Sequence, residues 1–210
     1  MKKNKTNKME LLMTTTEIAE IATPADRFAR NWKFDEFSEN KKIRHLSQLA
    51  VKFAHLEKIG YIDNPDQSKS NQKDIRIVGE IGLYHATADF RTIDVEELTR
   101  GLKTASSYQK FCSPIFSHEH VVSVKVIYKM LLKLKVRSVK NIFAMLVKYC
   151  IRATIKKEEN KALDAAGLKS EMPEEFWTLT EGYEYLYENP FARYIVAGIY
   201  ENLVINTRSF

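Results

Sequence analysis

Glycine and proline are scarce in this 210-residue chain, at seven and five. Both residues punctuate the many short strands of all-β proteins, so their scarcity argues against a turn-rich sandwich or barrel and favours helices. Cysteine is scarcer still. Cys112 and Cys150 stand far apart and form neither a metal-ligand cluster nor a disulfide framework, which reads as two buried apolar thiols in a reducing compartment. There is no apolar run of about 18 residues, so no membrane span is expected. The N-terminal stretch MKKNKTNKMELLMTTTEIAEI begins basic, but Glu10, Glu17 and Glu20 interrupt the apolar core that a signal peptide needs. A cytoplasmic protein is the expectation.

Recognisable chemistry is also missing. The chain has no G-x-S-x-G elbow, no phosphate-binding P-loop and no dinucleotide fingerprint; Gly79 and Gly82 are an isolated pair that suits a turn or close packing. Ser117 suits a helix N-cap, which puts His118-Glu119-His120 in a first helical turn. Two residues apart on a helix, the histidines face different ways, and a metal site is not expected. His45 and His55 are ten apart on one helix, about 15 Å along its axis, too far to share an ion. Adjacent carboxylates such as Glu96-Glu97, Glu158-Glu159 and Glu174-Glu175 point to different helix faces and read as solvated. No cofactor and no catalytic residue is expected, and the chain reads as a non-enzyme.

What is present is helical patterning, in a chain that is 44% apolar. Thr14 with Glu17 forms a capping box for a short helix to about Ile21, and Pro24 suits the first position of another, with Phe28 and Trp32 one turn apart. Ile43, Leu46, Ala50, Phe53 and Leu56 recur at steps of three and four and predict an amphipathic helix ending near Gly60. The polar run from Asn64 to Asn71 reads as an exposed loop, and residues 63–73 as a sub-boundary. Residues 74–90 are two-sided: the start alternates like a strand, with one short β element expected near 74–82, while Leu83 to Ala88 suits a helix. Asp94 with Glu97 caps a helix through Leu102, and Phe111-Cys112-Ser113-Pro114 breaks the chain. In the last third, a helix start at Ser170–Pro173 precedes an aromatic run. There Tyr183, Tyr187, Phe191 and Tyr194 keep a helical period that Pro190 interrupts, which favours core packing over base stacking. The expected architecture is mainly α, a multi-helix bundle-like domain over residues 13–210 behind a disordered basic tail at 1–12.

Charge is the feature that separates this chain from a generic helical protein. Between Val121 and Lys157 there are ten basic residues and no acidic one. The tail adds four lysines, and the net charge is only +6, so the remainder sums to −8. At 100° per residue, Ile127, Met130, Leu131 and Leu134 share one helix face. Lys125, Lys129, Lys133 and Arg137 climb the other in four-residue steps. Farther on, Ile142, Leu146, Cys150 and Ala153 oppose Lys140, Lys148 and Arg152. On one straight helix the two apolar faces would be rotated by about 120°, so a break is expected near Val136-Arg137-Ser138, with Ser138 as the second N-cap.

Two short helices joined by a tight basic turn suit the helix-turn-helix arrangement, in which Lys125, Lys129, Lys133, Arg137, Lys140, Lys148 and Arg152 would grip phosphates and Asn141 would read an adenine edge. The small residue and turn glycine usual in that motif are replaced by Leu131 and Lys135, and Ile142 falls one position late. The sequence therefore points to a nucleic-acid-binding accessory protein, of a kind suited to a phage, plasmid or other mobile element. The rival reading is a helical assembly protein, in which the basic segment pairs with the chain's own or a partner's acidic C-terminal third, net −6 from Glu158 onward.

Overall fold

Helix α1, Lys41–Lys58, forms where the three- and four-residue apolar spacing predicts it. Ile43, Leu46, Leu49, Ala50 and Phe53 are buried along one face. It stops in a Schellman turn: Gly60 N–H donates to the Glu57 carbonyl at 2.9 Å and Tyr61 N–H to the Leu56 carbonyl at 2.8 Å. Gly60 sits at φ 69°, a left-handed conformation that a Cβ penalises. The computed structural model describes residues 41–77, 85 and 88–206. The basic tail, the helices expected around Thr14 and Pro24, and residues 78–84 and 86–87 of the two-sided segment lie outside them.

The polar run after α1 is not a loop. Helix α2, Pro65–Ile77, occupies it, with Pro65 at its first position and the Asn64 side chain accepting Asp66 N–H at 2.9 Å. The turn-forming residues that suggest a loop here serve as the helix start. Residues 74–77 of the expected β element belong to this helix.

The chain divides into two compact units. One comprises residues up to Val78 with Lys129–Lys148; the other comprises Gly79–Tyr128 with Tyr149–Phe210. In the first, the described elements are α1, α2 and the greater part of a helix pair, α5 (Val124–Lys133) and α6 (Val139–Tyr149).

The second unit overturns the expected helical bundle. It contains a four-stranded mixed sheet of β1 (Phe90–Thr92), β2 (Phe116–His120), β3 (Arg152–Lys156) and β4 (Leu203–Ile205), in the order β2-β3-β1-β4. β1 runs parallel to β3; the β2–β3 and β1–β4 pairs are antiparallel. Helices α3 (Ile93–Thr99), α4 (Ala105–Ile115), α7 (Lys157–Ala165) and α8 (Ala192–Val196) complete it, with short 3₁₀ turns at Glu174–Phe176, Glu184–Leu186 and Tyr200–Asn202. The strands are three to five residues long, and helices follow β1 and β3 directly at Ile93 and Lys157. No turn signal marks those ends.

Several local expectations change with the sheet. Ser117 caps no helix; it lies within β2. The basic helix begins instead at Val124, where Ser123 Oγ accepts Val126 N–H at 3.3 Å and donates to the Ser170 carbonyl at 2.7 Å. The Phe111–Pro114 break is absent, because Pro114 falls in the last turn of α4, whose N-cap is Thr104. Thr92, not Asp94, precedes α3. Of the four C-terminal aromatics with a helical period, Phe191 and Tyr194 are buried, while Tyr183 and Tyr187 are exposed together with Tyr185.

One face of the sheet carries Phe90, Ala153 and Ile155, all buried. The strand register places Phe90 beside Ala153, and the Phe191 ring meets Phe90 edge-on at 5.2 Å. On the other face Phe116 joins Val95, Tyr108 and Cys112 in an apolar cluster. Arg193, with 0% exposure, fastens this unit. Its guanidinium donates to the carbonyls of Val121, Leu168 and Lys169 at 2.8–2.9 Å and to that of His120, and forms an ion pair with Glu119 at 2.8 Å. A planar five-donor group satisfied in this way is tolerable without water.

Candidate nucleic-acid interface

The predicted break between the basic helices is where the structure has it. α5 ends at Lys133, α6 starts at Val139, and Ser138 Oγ accepts Asn141 N–H at 3.2 Å as an N-cap should. In α5, Val126, Ile127 and Leu131 are buried, while Lys125, Lys129 and Lys133 are exposed at four-residue intervals. In α6, Ile142, Phe143, Met145, Leu146 and Val147 are buried, and Lys140, Asn141 and Lys148 are exposed. Lys135 and Val136 are exposed in the turn between them.

The eight residues expected to contact nucleic acid do not form one set. Lys129, Lys133, Arg137, Lys140, Asn141 and Lys148 belong to the helical unit; Lys125 and Arg152 belong to the sheet unit. Lys125 forms an ion pair with Glu171. Arg152 is not on a helix, because α6 ends at Tyr149; it sits on β3 with 1% exposure. Arg137 is turned inward at the interhelical turn. It pairs with Glu57 at 2.7 Å and Asp63 at 3.1 Å, and also donates to the Leu132 carbonyl. The hydrogen bonds to Glu57 and Asp63 raise its pKa further above the ordinary arginine value. Its role is to tie the turn to α1 and the loop behind it. The Asn141 amide donates to the Val136 carbonyl at 3.0 Å, so reading an adenine edge would first require that bond to open.

Lys129, Lys133, Lys140 and Lys148 lie exposed on the helix pair. Over the described residues of the helical unit, the sequence has fourteen basic residues against four acidic ones. Glu57 and Asp63 are held by Arg137, and Asp74 by Lys52. Over the described residues of the sheet unit the balance reverses, with eleven basic against fifteen acidic. A net +10 on the smaller, helical unit sets up the positive potential that polyanions follow.

Among the described residues no helix is long and apolar enough to cross a membrane, and no group of three or more His, Cys, Asp or Glu side chains is arranged to hold a metal ion. No protein-family model matches the chain, and no curated protein or solved structure is significantly similar to it.

Proposed function

We propose that this chain is a nucleic-acid-binding protein, not an enzyme, that grips the phosphate backbone through Lys129, Lys133, Lys140 and Lys148, with Lys135 in the intervening turn. The observation that carries this reading is the separation of side chains on the helical unit. Most apolar residues of its helix pair are buried, its lysines are exposed, and the unit is net positive by ten charges. Exposed ammonium groups on flexible stems suit backbone contact, since each phosphate neutralised releases condensed counterions. Nothing in this arrangement favours one base sequence over another.

The test is binding to labelled duplex DNA, single-stranded DNA and RNA across a range of salt, with a variant in which Lys129, Lys133, Lys140 and Lys148 are all changed to glutamine. Arg137 and Arg152 are left intact, because removing a cation held by two carboxylates or buried in a strand perturbs folding rather than contact. Expected is a linear fall of log K with log[salt], with the variant's slope shallower by about 3 to 4 on duplex DNA. Equal binding by the variant, or none by the native chain at low salt, would end the proposal.

Self-assembly is the second reading, favoured by one specific observation. Leu179, Tyr183, Tyr185 and Tyr187 are exposed in a segment that also carries Glu181, Glu184 and Glu188, and the Tyr183 and Tyr185 rings stack at 6.4 Å. An acidic, aromatic surface complements a lysine-rich one on a second copy. A sedimentation experiment separates the two readings, since assembly predicts association that high salt and Tyr185→Ser both weaken.

A further inference from the structure

Among the described residues the exposed tyrosines are Tyr61, Tyr183, Tyr185 and Tyr187. The last three share their segment with Glu181, Glu184 and Glu188, whose charge repels a polyanion. Tyr61 differs from them, because it stands on the positive helical unit.

Its placement follows from the turn that ends α1. After a Schellman glycine, an apolar residue commonly packs back against the helix. In this turn Ile62 takes the buried place, at 1% exposure, and Tyr61 stays 47% exposed. The Tyr61 backbone is held on both sides: its N–H donates to the Leu56 carbonyl at 2.8 Å, and its carbonyl accepts Asn64 N–H at 3.3 Å. Arg137 brings a second loop to this one. By pairing with Glu57 and Asp63, which flank Tyr61 in the chain, it holds the α5–α6 turn against the segment that follows α1. Val136, next to Arg137, is 61% exposed, and Ile59 is 53% exposed. Two loops fastened by one guanidinium thus present Tyr61, Ile59 and Val136 to solvent, with Lys58 and Lys135 exposed next to them in the chain. The same ion pairs offset the charge of Glu57 and Asp63; the next acidic residue along the chain is Asp66, in the first turn of α2.

A duplex keeps its base faces stacked inside and offers phosphates alone to such a patch. A single strand offers both, since its unpaired bases have apolar faces that stack on an aromatic ring while lysines follow the backbone. We propose that this end of the helical unit binds single-stranded nucleic acid, with a base face packed on the Tyr61 ring beside Ile59 and Val136, and Lys58 and Lys135 on the flanking phosphates. This inference rests on the polyanion reading of the lysine surface and names the substrate class of that surface.

The test is fluorescence anisotropy with a labelled oligothymidylate and a duplex of the same length, at one low salt concentration. The native chain should bind the single strand more tightly. Tyr61→Leu, which keeps an apolar side chain and removes the ring, should weaken single-strand binding by about fivefold or more and leave duplex binding unchanged, and Tyr61→Phe should bind like the native chain. A duplex bound as tightly as the single strand, or Tyr61→Leu binding like the native chain, would overturn the inference. If the variant with four lysines changed to glutamine still loses its salt slope in that case, the polyanion reading stands and the single-strand reading alone falls; binding to neither nucleic acid ends both. A second measurement uses the native chain: ultraviolet cross-linking to a bromouracil-substituted single strand should attach at Tyr61. Attachment confined to the Tyr183–Tyr187 segment would overturn the site.

Discussion

The two units use positive charge in opposite ways. On the helical unit it is carried outward, by lysines whose stems rise from α5 and α6 above a buried apolar face. In the sheet unit, beside lysines that stay exposed, three arginines carry it inward: Arg91, Arg152 and Arg193, none more than 2% exposed. The chemistry of the two side chains explains the division. A compact ammonium is strongly hydrated and stays in water, whereas a planar guanidinium is weakly hydrated and its fixed fork can be satisfied by carbonyls and carboxylates inside a protein. The same formal charge therefore stands on solvated side chains in one place and serves as a buried cross-link in another. Net charge, +6 for the whole chain, conceals the difference.

If that division holds, the largest effects belong to the inward cations. Arg193→Met removes a fully buried guanidinium and leaves Glu119 and four carbonyls without their donor. Breaking a buried pair by deleting one partner costs about 3–5 kcal/mol. Urea unfolding should show a loss of that size. A loss below about 1 kcal/mol would mean that Arg193 fastens nothing.

His85 gives the next effect, and its sign follows from linkage. Its folded pKa, pushed down to about 4 by burial, lies below the ordinary value near 6.5. Between those two values the unfolded chain binds a proton that the native chain does not, so stability falls as pH drops through that window and is fully present above it. The shift corresponds to about 3 kcal/mol at most. Equilibrium unfolding followed from pH 7.5 to pH 4 should show this decline, and His85→Gln should flatten it. An unchanged slope in the variant would assign the pH dependence elsewhere.

These inward features are the ones the sequence hides. The helices of the outward-facing unit are local objects: a 3.6-residue period, a glycine at Gly60 and a serine at Ser138 suffice to place α1 and the α5–α6 break. The strands are not local. His118 beside Thr154, or Phe90 beside Ala153, brings together residues 36 and 63 positions apart, and nothing in Phe116–His120 alone reports its partner. Reading Ser117 as an N-cap applies sound chemistry at the wrong period, and it scatters two histidines that the strand aligns. Arg152 misleads for the same reason: helical spacing carried on from Lys148 runs past Tyr149, where the helix ends. One signal is present, since Arg152-Ala153-Thr154-Ile155-Lys156 alternates polar and apolar with a period of two. The lysines keep their expected exposure because a surface stripe needs only its own helix.

Local signals should have local costs. Gly60→Ala forces a Cβ into a left-handed turn where no neighbouring atom stands in the way, so the penalty is conformational alone, about 1 kcal/mol. Ser138→Ala removes the hydroxyl that accepts Asn141 N–H, again about 1 kcal/mol. Thermal unfolding of each variant measures this. A loss several times larger in either would show that these turns are coupled to more than their own helices.

Lys125 supplies the smallest effect and the sharpest separation. It belongs to the α5 stripe by sequence but to the sheet unit by position, where it pairs with Glu171. Both partners are substantially exposed, at 51% and 37%, so solvent screens the pair and its loss costs at most about 0.5 kcal/mol. Lys125→Gln should therefore leave stability nearly unchanged. On the proposed lysine surface it should also leave the salt dependence of DNA binding unchanged, whereas Lys140→Gln alone should lower the slope by about 0.9, the value of one phosphate contact. If Lys125→Gln lowers the slope as much as Lys140→Gln does, the polyanion follows the whole α5 stripe, and the helical unit is not the boundary of the interface.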